Sequence, residues 1–195
     1  VIYDDGKPVC VITKYNPMSS EEKLEIPAHI DGLDVISIAD DAINYGGAKE
    51  TVVPDTVKFI ADNAFKESYS LEDIYLTKNV SYIGKSAFKD SKDLTIHAPT
   101  DSYAHTFATE NKINFKATER LRASVTGENQ TSRQVNFDVS VSIKNTLKNL
   151  GMVFDLEAPE DMTVQNQLSA MSDEERSKQA ITMLVTGMYM PQGMT

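Results

Sequence analysis

Val57-Lys-Phe-Ile60-Ala-Asp-Asn-Ala64-Phe65 and Val80-Ser-Tyr-Ile83-Gly-Lys-Ser-Ala87-Phe88 are two versions of one phrase. Every landmark moves by 23 positions, and the offset holds from Ser68 to Ser91 and from Leu71 to Leu94. One copy earlier, Val35-Ile-Ser-Ile38-Ala-Asp-Asp-Ala42-Ile43 fits with an offset of 22. Further upstream, Ile26-Pro27 matches Val53-Pro54, with five extra residues around Asp31-Gly32-Leu33. Self-similarity at such a period is the signature of a stacked repeat.

A period of this length makes one coil of a solenoid. Each coil carries two short extended pieces, here Leu71-Glu-Asp-Ile74-Tyr-Leu76 and Val80-Ser-Tyr-Ile83, and a tight turn with Ala64-Phe65 or Ala87-Phe88. A lone coil cannot bury its Leu, Ile, Val and Phe. Stacked coils share one apolar interior and pair their strands in parallel. The spacing therefore predicts that Ile38, Ile60 and Ile83 form a ladder inside one tube. The small Ala lets each turn pass close to its neighbour, and the Phe after it points inward as core.

Open solenoid ends expose strand edges and need caps. At the front, Ile2-Tyr3 and Val9-Cys-Val-Ile12 flank Asp5-Gly6, a two-residue hairpin signal. At the back, Ser102-Tyr-Ala104-His-Thr-Phe107-Ala108 predicts a short amphipathic helix, and Ile113-Asn-Phe115 a closing strand.

The pattern Ile-Pro-x-x-Ile-Asp-Gly-x-x-Val-x-x-Ile, followed by Val-Pro-Asp-x-Val-x-x-Ile-x-x-x-Ala-Phe, resembles the BspA-type leucine-rich repeat family. The stretch from Ala98-Pro-Thr-Asp-Ser102 to Asn111-Lys-Ile113-Asn-Phe115 resembles that family's terminal unit. The resemblance covers about residues 1–117. It departs in having Ile43 where Phe is usual, and Ser68 and Ser91 where the turn usually has Cys. The resemblance implies a non-enzymatic, exported or surface-attached bacterial protein that binds proteins of a host or a neighbouring cell.

Composition changes near Ala117. All four arginines, Arg120, Arg122, Arg133 and Arg176, lie beyond it, as do seven of eight methionines, and the repeat landmarks stop. Two domains are expected, 1–117 and 118–195. Val135, Phe137, Val139, Val141 and Ile143 alternate with polar residues, which predicts a strand with one dry face. Leu147-Lys-Asn-Leu150-Gly151 interrupts the alternation, and Met152, Phe154 and Leu156 resume it. Ser172-Asp-Glu-Glu175 is a capping box. It opens a helix with Ala180, Ile181, Leu184, Val185 and Met188 predicted on the packed stripe. The order Phe154-Asp-Leu156-Glu-Ala-Pro159, Val164-Gln-Asn166-Gln-Leu168, Glu175-Arg176 and Leu184-Val-Thr-Gly187-Met-Tyr189 resembles the C-terminal part of the translocation and assembly module TamB, over about residues 135–190. That resemblance implies a structural part in bacterial outer-membrane protein assembly, with membrane association only through that envelope context. The fold expected for the whole chain is mainly β: a short leucine-rich-repeat-type solenoid with capping hairpin and terminal helix, then a small β-strand and helix segment.

Charge narrows the partners. The net charge of −10 repels phosphate backbones and anionic lipid surfaces, which disfavours nucleic acid. The single Cys10 excludes an internal disulfide and is expected as a buried strand residue. No run approaches the roughly 20 apolar residues of a membrane helix. The chain begins at Val1 rather than Met, the expectation for a processed chain or a fragment, so a removed leader is compatible with it.

No nucleophile elbow, phosphate loop or metal-ligand spacing occurs, so no enzyme and no cofactor are expected. His97 and His105 stand eight apart without ligand spacing. The adjacent acids Asp40-Asp41 fall in a repeat turn and are expected in water. The candidate partner-binding residues are Tyr75 and Tyr82, which stand beside apolar landmarks of one coil and are expected to face out. Exposed tyrosines anchor protein partners.

Overall fold

The computed structural model describes residues 2–15, 22–43, 47–146 and 149–190. It divides into two compact units, Val1–Phe115 with Asn145–Lys148, and Lys116–Lys144 with Asn149–Thr195.

The first unit contains β1 (Ile2–Asp4), β2 (Lys7–Ile12), β3 (Lys23–Glu25), β4 (His29–Ile30), β5 (Leu33–Ile38), β6 (Glu50–Val52), β7 (Phe59–Ile60), β8 (Asp73–Tyr75), β9 (Tyr82–Ile83), β10 (Thr95–His97) and α1 (Tyr103–Glu110). It is a solenoid with two strand ladders. One runs β2-β5-β7-β9, with Ile38 opposite Ile60 and Ile60 opposite Ile83 in parallel register. All three isoleucines are buried, as the repeat predicts. The other ladder runs β3-β6-β8-β10, and its inward row is Leu24, Thr51, Ile74 and Ile96. Strand alternation sends the residues on either side of each inward residue to the surface.

The turns obey the repeat as well. Ala64 and Ala87 are fully buried, and the rings of Phe65 and Phe88 stack with centroids 5.2 Å apart. Phe107 of α1 meets Phe88 edge-on at 6.3 Å, so the terminal helix closes the phenylalanine stack. Ser102 caps that helix by accepting from the His105 amide at 3.2 Å. Ser68 and Ser91 are buried and carry hydroxyls that donate to carbonyls one coil back, Ser68 to Ile43 at 3.3 Å and Ser91 to Ser68 at 2.8 Å. At the front, β1 and β2 are antiparallel with Asp4 opposite Lys7. Asp5 and Gly6 between them both have positive φ, 49° and 78°, the two-residue turn that the sequence signals. Cys10 lies in β2 as expected, but half-buried rather than buried, because it falls where the β2–β5 register shifts.

The second unit is built from most of β11 (Asn114–Thr126), then β12 (Ser132–Thr146), β13 (Asn149–Glu157), α2 (Met162–Ser169) and α3 (Asp173–Thr186). The chain passes from one unit to the other inside β11, so the closing strand expected at Ile113–Phe115 extends to Thr126. The predicted interruption of the alternation includes Leu147 and Lys148, which lie outside the described residues. Val135, Phe137 and Val139 are buried in one cluster with Leu156, Val164, Leu168, Ala180 and Met183. The helix α3 begins at the predicted capping box. Its packed stripe differs from expectation. Ala180 and Met183 are fully buried, whereas Ile181, Leu184, Val185 and Met188 are exposed, Val185 at 80%. Arg176 explains the rotation. Its guanidinium bonds Asp155 of β13 at 3.0 Å and the Met171 carbonyl at 2.9 Å, which turns the 176–180–183 edge inward.

Candidate protein-interaction surface

The outward residues of the two ladders form regular rows on the surface of the first unit. On the β2-β5-β7-β9 side, Val11, Ser37, Phe59 and Tyr82 are in register across four strands. Phe59 is 40% and Tyr82 49% exposed, so two neighbouring coils present aromatic rings at matching positions. On the β3-β6-β8-β10 side there are two outward rows. One is Lys23, Glu50, Asp73 and Thr95; the other is Glu25, Val52, Tyr75 and His97. Tyr75 is 39% exposed. Its ring stacks on His97 with centroids 4.2 Å apart and planes 16° apart, and His97 Nε2 lies 2.6 Å from an Asp73 carboxylate oxygen. Burial, then Glu50 and Asp73, push the Tyr75 hydroxyl above its ordinary pKa, so it remains a neutral donor and acceptor at neutral pH.

Both sequence-predicted tyrosines are therefore exposed, but they are not brought together. Tyr75 belongs to β8 and Tyr82 to β9, on different ladders. Phe59 escaped the sequence reading although the repeat marks it, since it occupies the position of Tyr82 one coil earlier. His97 escaped for a different reason: its partnership with Tyr75 depends on the register of β8 against β10.

A cleft of about 420 Å³ opens beside the front hairpin, lined by Asp4, Asp5, Asp34, Asp55, Lys7 and Lys58 among others. Lys58 donates to the Asp4 carboxylate at 2.5 Å, and Asp4 in turn holds the lysine above its usual pKa. Among the described residues, no group of three or more His, Cys, Asp or Glu side chains is arranged to hold a metal ion.

Comparison with protein families matches residues 21–123 to the BspA type leucine rich repeat region, in six copies. The chain belongs to this family. The match covers the repeats, the terminal helix and the strand after it, ending within β11. No curated protein matches the chain, and no solved structure matches it. In this BspA-type chain, Ala64-Phe65 and Ala87-Phe88 are buried turn pairs, and the outward rows change residue type from coil to coil. Among the described residues, no helix is long and apolar enough to cross a membrane.

Proposed function

We propose that this BspA-type chain is a non-enzymatic protein-binding module of a bacterial surface or exported protein, and that its partner is a protein of a host or neighbouring cell. The observation that carries the reading is the pair of outward strand faces. Each presents exposed aromatic side chains, Phe59 and Tyr82 on one and Tyr75 on the other, held in register by a buried ladder. Rigid aromatics on a preformed surface lose little entropy on binding and fit the composition of protein interfaces. Tyr75 and Tyr82 are the residues assigned to the partner. The domain reading that goes with it is 1–117 for the solenoid with its caps and 118–195 for the second segment.

In the second segment Val135, Phe137 and Val139 are buried in one cluster with residues of α2 and α3, while Val141 and Ile143 further along the same stripe are half-buried. The binding reading is tested by probing an array of purified extracellular and cell-surface proteins with the intact chain and with a Tyr75→Ala, Tyr82→Ala variant. Selective capture by the intact chain, weakened in the variant, is expected. Capture equal in both would remove the tyrosines from the interface, and no selective capture would remove the function.

A further inference from the structure

The face of β3, β6, β8 and β10 is a small grid of two outward rows, and Val52 is an inner member of one of them. Strands about 4.8 Å apart carry outward residues roughly 6.7 Å apart along each strand. Val52 is the shortest side chain of its row, with Glu25 on one side and Tyr75 on the other. By side-chain length the row therefore dips at Val52, a slot that the register places beside Lys23. His97 covers the side of the Tyr75 ring that faces β10, which leaves the side facing β6 and Val52. Glu50 stands two residues before Val52 on β6, in line with Lys23 and Asp73. The slot thus has an aliphatic floor, an aromatic wall and two carboxylates.

The chain itself shows what charge this place holds. The Lys23 ammonium lies 3.0 Å from Glu25 and 3.9 Å from Glu50. Its side chain is half exposed, and an exposed pair of this kind contributes little and is readily exchanged. Lys23 balances only one of the two glutamates, while Asp73 is engaged by His97. A cation that rests on an aromatic face while meeting a carboxylate gains from both.

We propose that this face receives a lysine or arginine side chain of the protein partner, placed over Val52 between the free face of Tyr75 and the carboxylates of Glu25 and Glu50, in exchange for Lys23. The proposal rests on the protein-binding reading above and names the partner's chemistry.

The test is a titration of the full ¹⁵N-labelled chain with N-acetylated tetra-arginine amide, read by amide shifts. The largest shifts are expected at Thr51, Val52, Ile74 and Tyr75. Glu25→Gln with Glu50→Gln should weaken binding by up to about fivefold, the range of an exposed ion pair. Tyr75→Ala should weaken it about twofold to fivefold, the cation–π contribution at an exposed site, while Tyr75→Phe should retain it. Lys23→Met should tighten binding, because it removes the internal competitor. Shifts spread evenly over acidic residues of both units, or a Lys23→Met variant that titrates like the parent, would overturn the proposal. If the peptide fails here while a captured surface protein still depends on Tyr82, the slot is wrong and the binding function stands. If the peptide maps to the slot while no surface protein is captured, the reverse holds.

Discussion

Gly84 shows how closely consecutive coils approach. A Cβ there would collide with the backbone nitrogen of Asp62 and come within 2.7 Å of its Cα, one coil earlier. The equivalent position in the preceding coil is Ala61, which hydrogen-bonds Ile38 just as Gly84 hydrogen-bonds Ile60. Gly84→Ala must push two coils apart and should cost about 1–3 kcal/mol in urea unfolding, the usual range for overpacking. Ala61→Gly should cost about 1 kcal/mol at most, through backbone entropy alone. Equal costs would mean that the tight approach at Gly84 relaxes freely. Tyr189 presents the opposite case. It is buried and stacked on Phe137 at 4.9 Å, yet among the described residues its hydroxyl has no hydrogen-bond partner. Desolvation raises its pKa for the same reason. Tyr189→Phe keeps the ring and removes the orphaned hydroxyl, so it should stabilise the second unit, by up to about 1–3 kcal/mol. A loss of stability would reveal a partner for that hydroxyl.

At the scale of elements, the solenoid was legible because one repeat states each constraint several times. The offsets of 22 and 23 place Ile38, Ile60 and Ile83 in one row before any geometry is known. The second unit states each constraint once. The strand β11 was missed past Phe115 because Glu119 interrupts the apolar row that Phe115, Ala117, Leu121, Ala123 and Val125 otherwise keep. The helix α2 was missed because Val164 and Leu168, its only buried residues, also fit a period of two. The helix α3 was found and Ala180 lies inward as expected, but Ile181, Leu184, Val185 and Met188 do not, although they make a stripe as regular as the true one. What decides between them is Arg176 and its bonds to Asp155 of β13 and to the Met171 carbonyl ahead of the helix, which a periodicity within the helix does not record. Of the candidate surface, the exposure of Tyr75 and Tyr82 was legible, while the pairing of Tyr75 with His97 waited on register. The two faces of α3 predict opposite responses to charge. Val185→Lys should change stability by no more than about 0.5 kcal/mol, as surface substitutions do. Met183→Lys should unfold the second unit, because it buries an unpaired ammonium. Thermal unfolding of both variants checks the assignment, and the reverse order would restore the sequence-predicted face.

Across the whole molecule, the two units should respond differently to acid. The carboxylates held low in pKa include Glu160 and Asp161, which stand side by side in the second unit. Asn136, and then Arg120, lower Glu160. The Arg133 guanidinium lowers Asp161 first, and the Val164 amide adds to it. Folding depresses both values, so their contribution is fully present above the unfolded carboxyl value of about 4 and is lost as pH falls through the lower folded values. Asp161 is also the N-cap of α2 and accepts from the Val164 amide at 3.1 Å, so its protonation loosens a cap and an ion pair together. Methyl and ring signals of Met183 and Phe137 should therefore lose their native positions at a higher pH than those of Ile38, Ile60 and Ile83. Asp161→Asn separates the two effects, because asparagine still caps a helix while it carries no charge for Arg133. That variant should start less stable at neutral pH and lose less on acidification between about pH 5 and 2. Two separated transitions would support the division into 1–117 and 118–195 as folding units. A single transition, with both sets of signals moving at one pH, would mean that the strand shared by the two units couples them and that the division is only geometric.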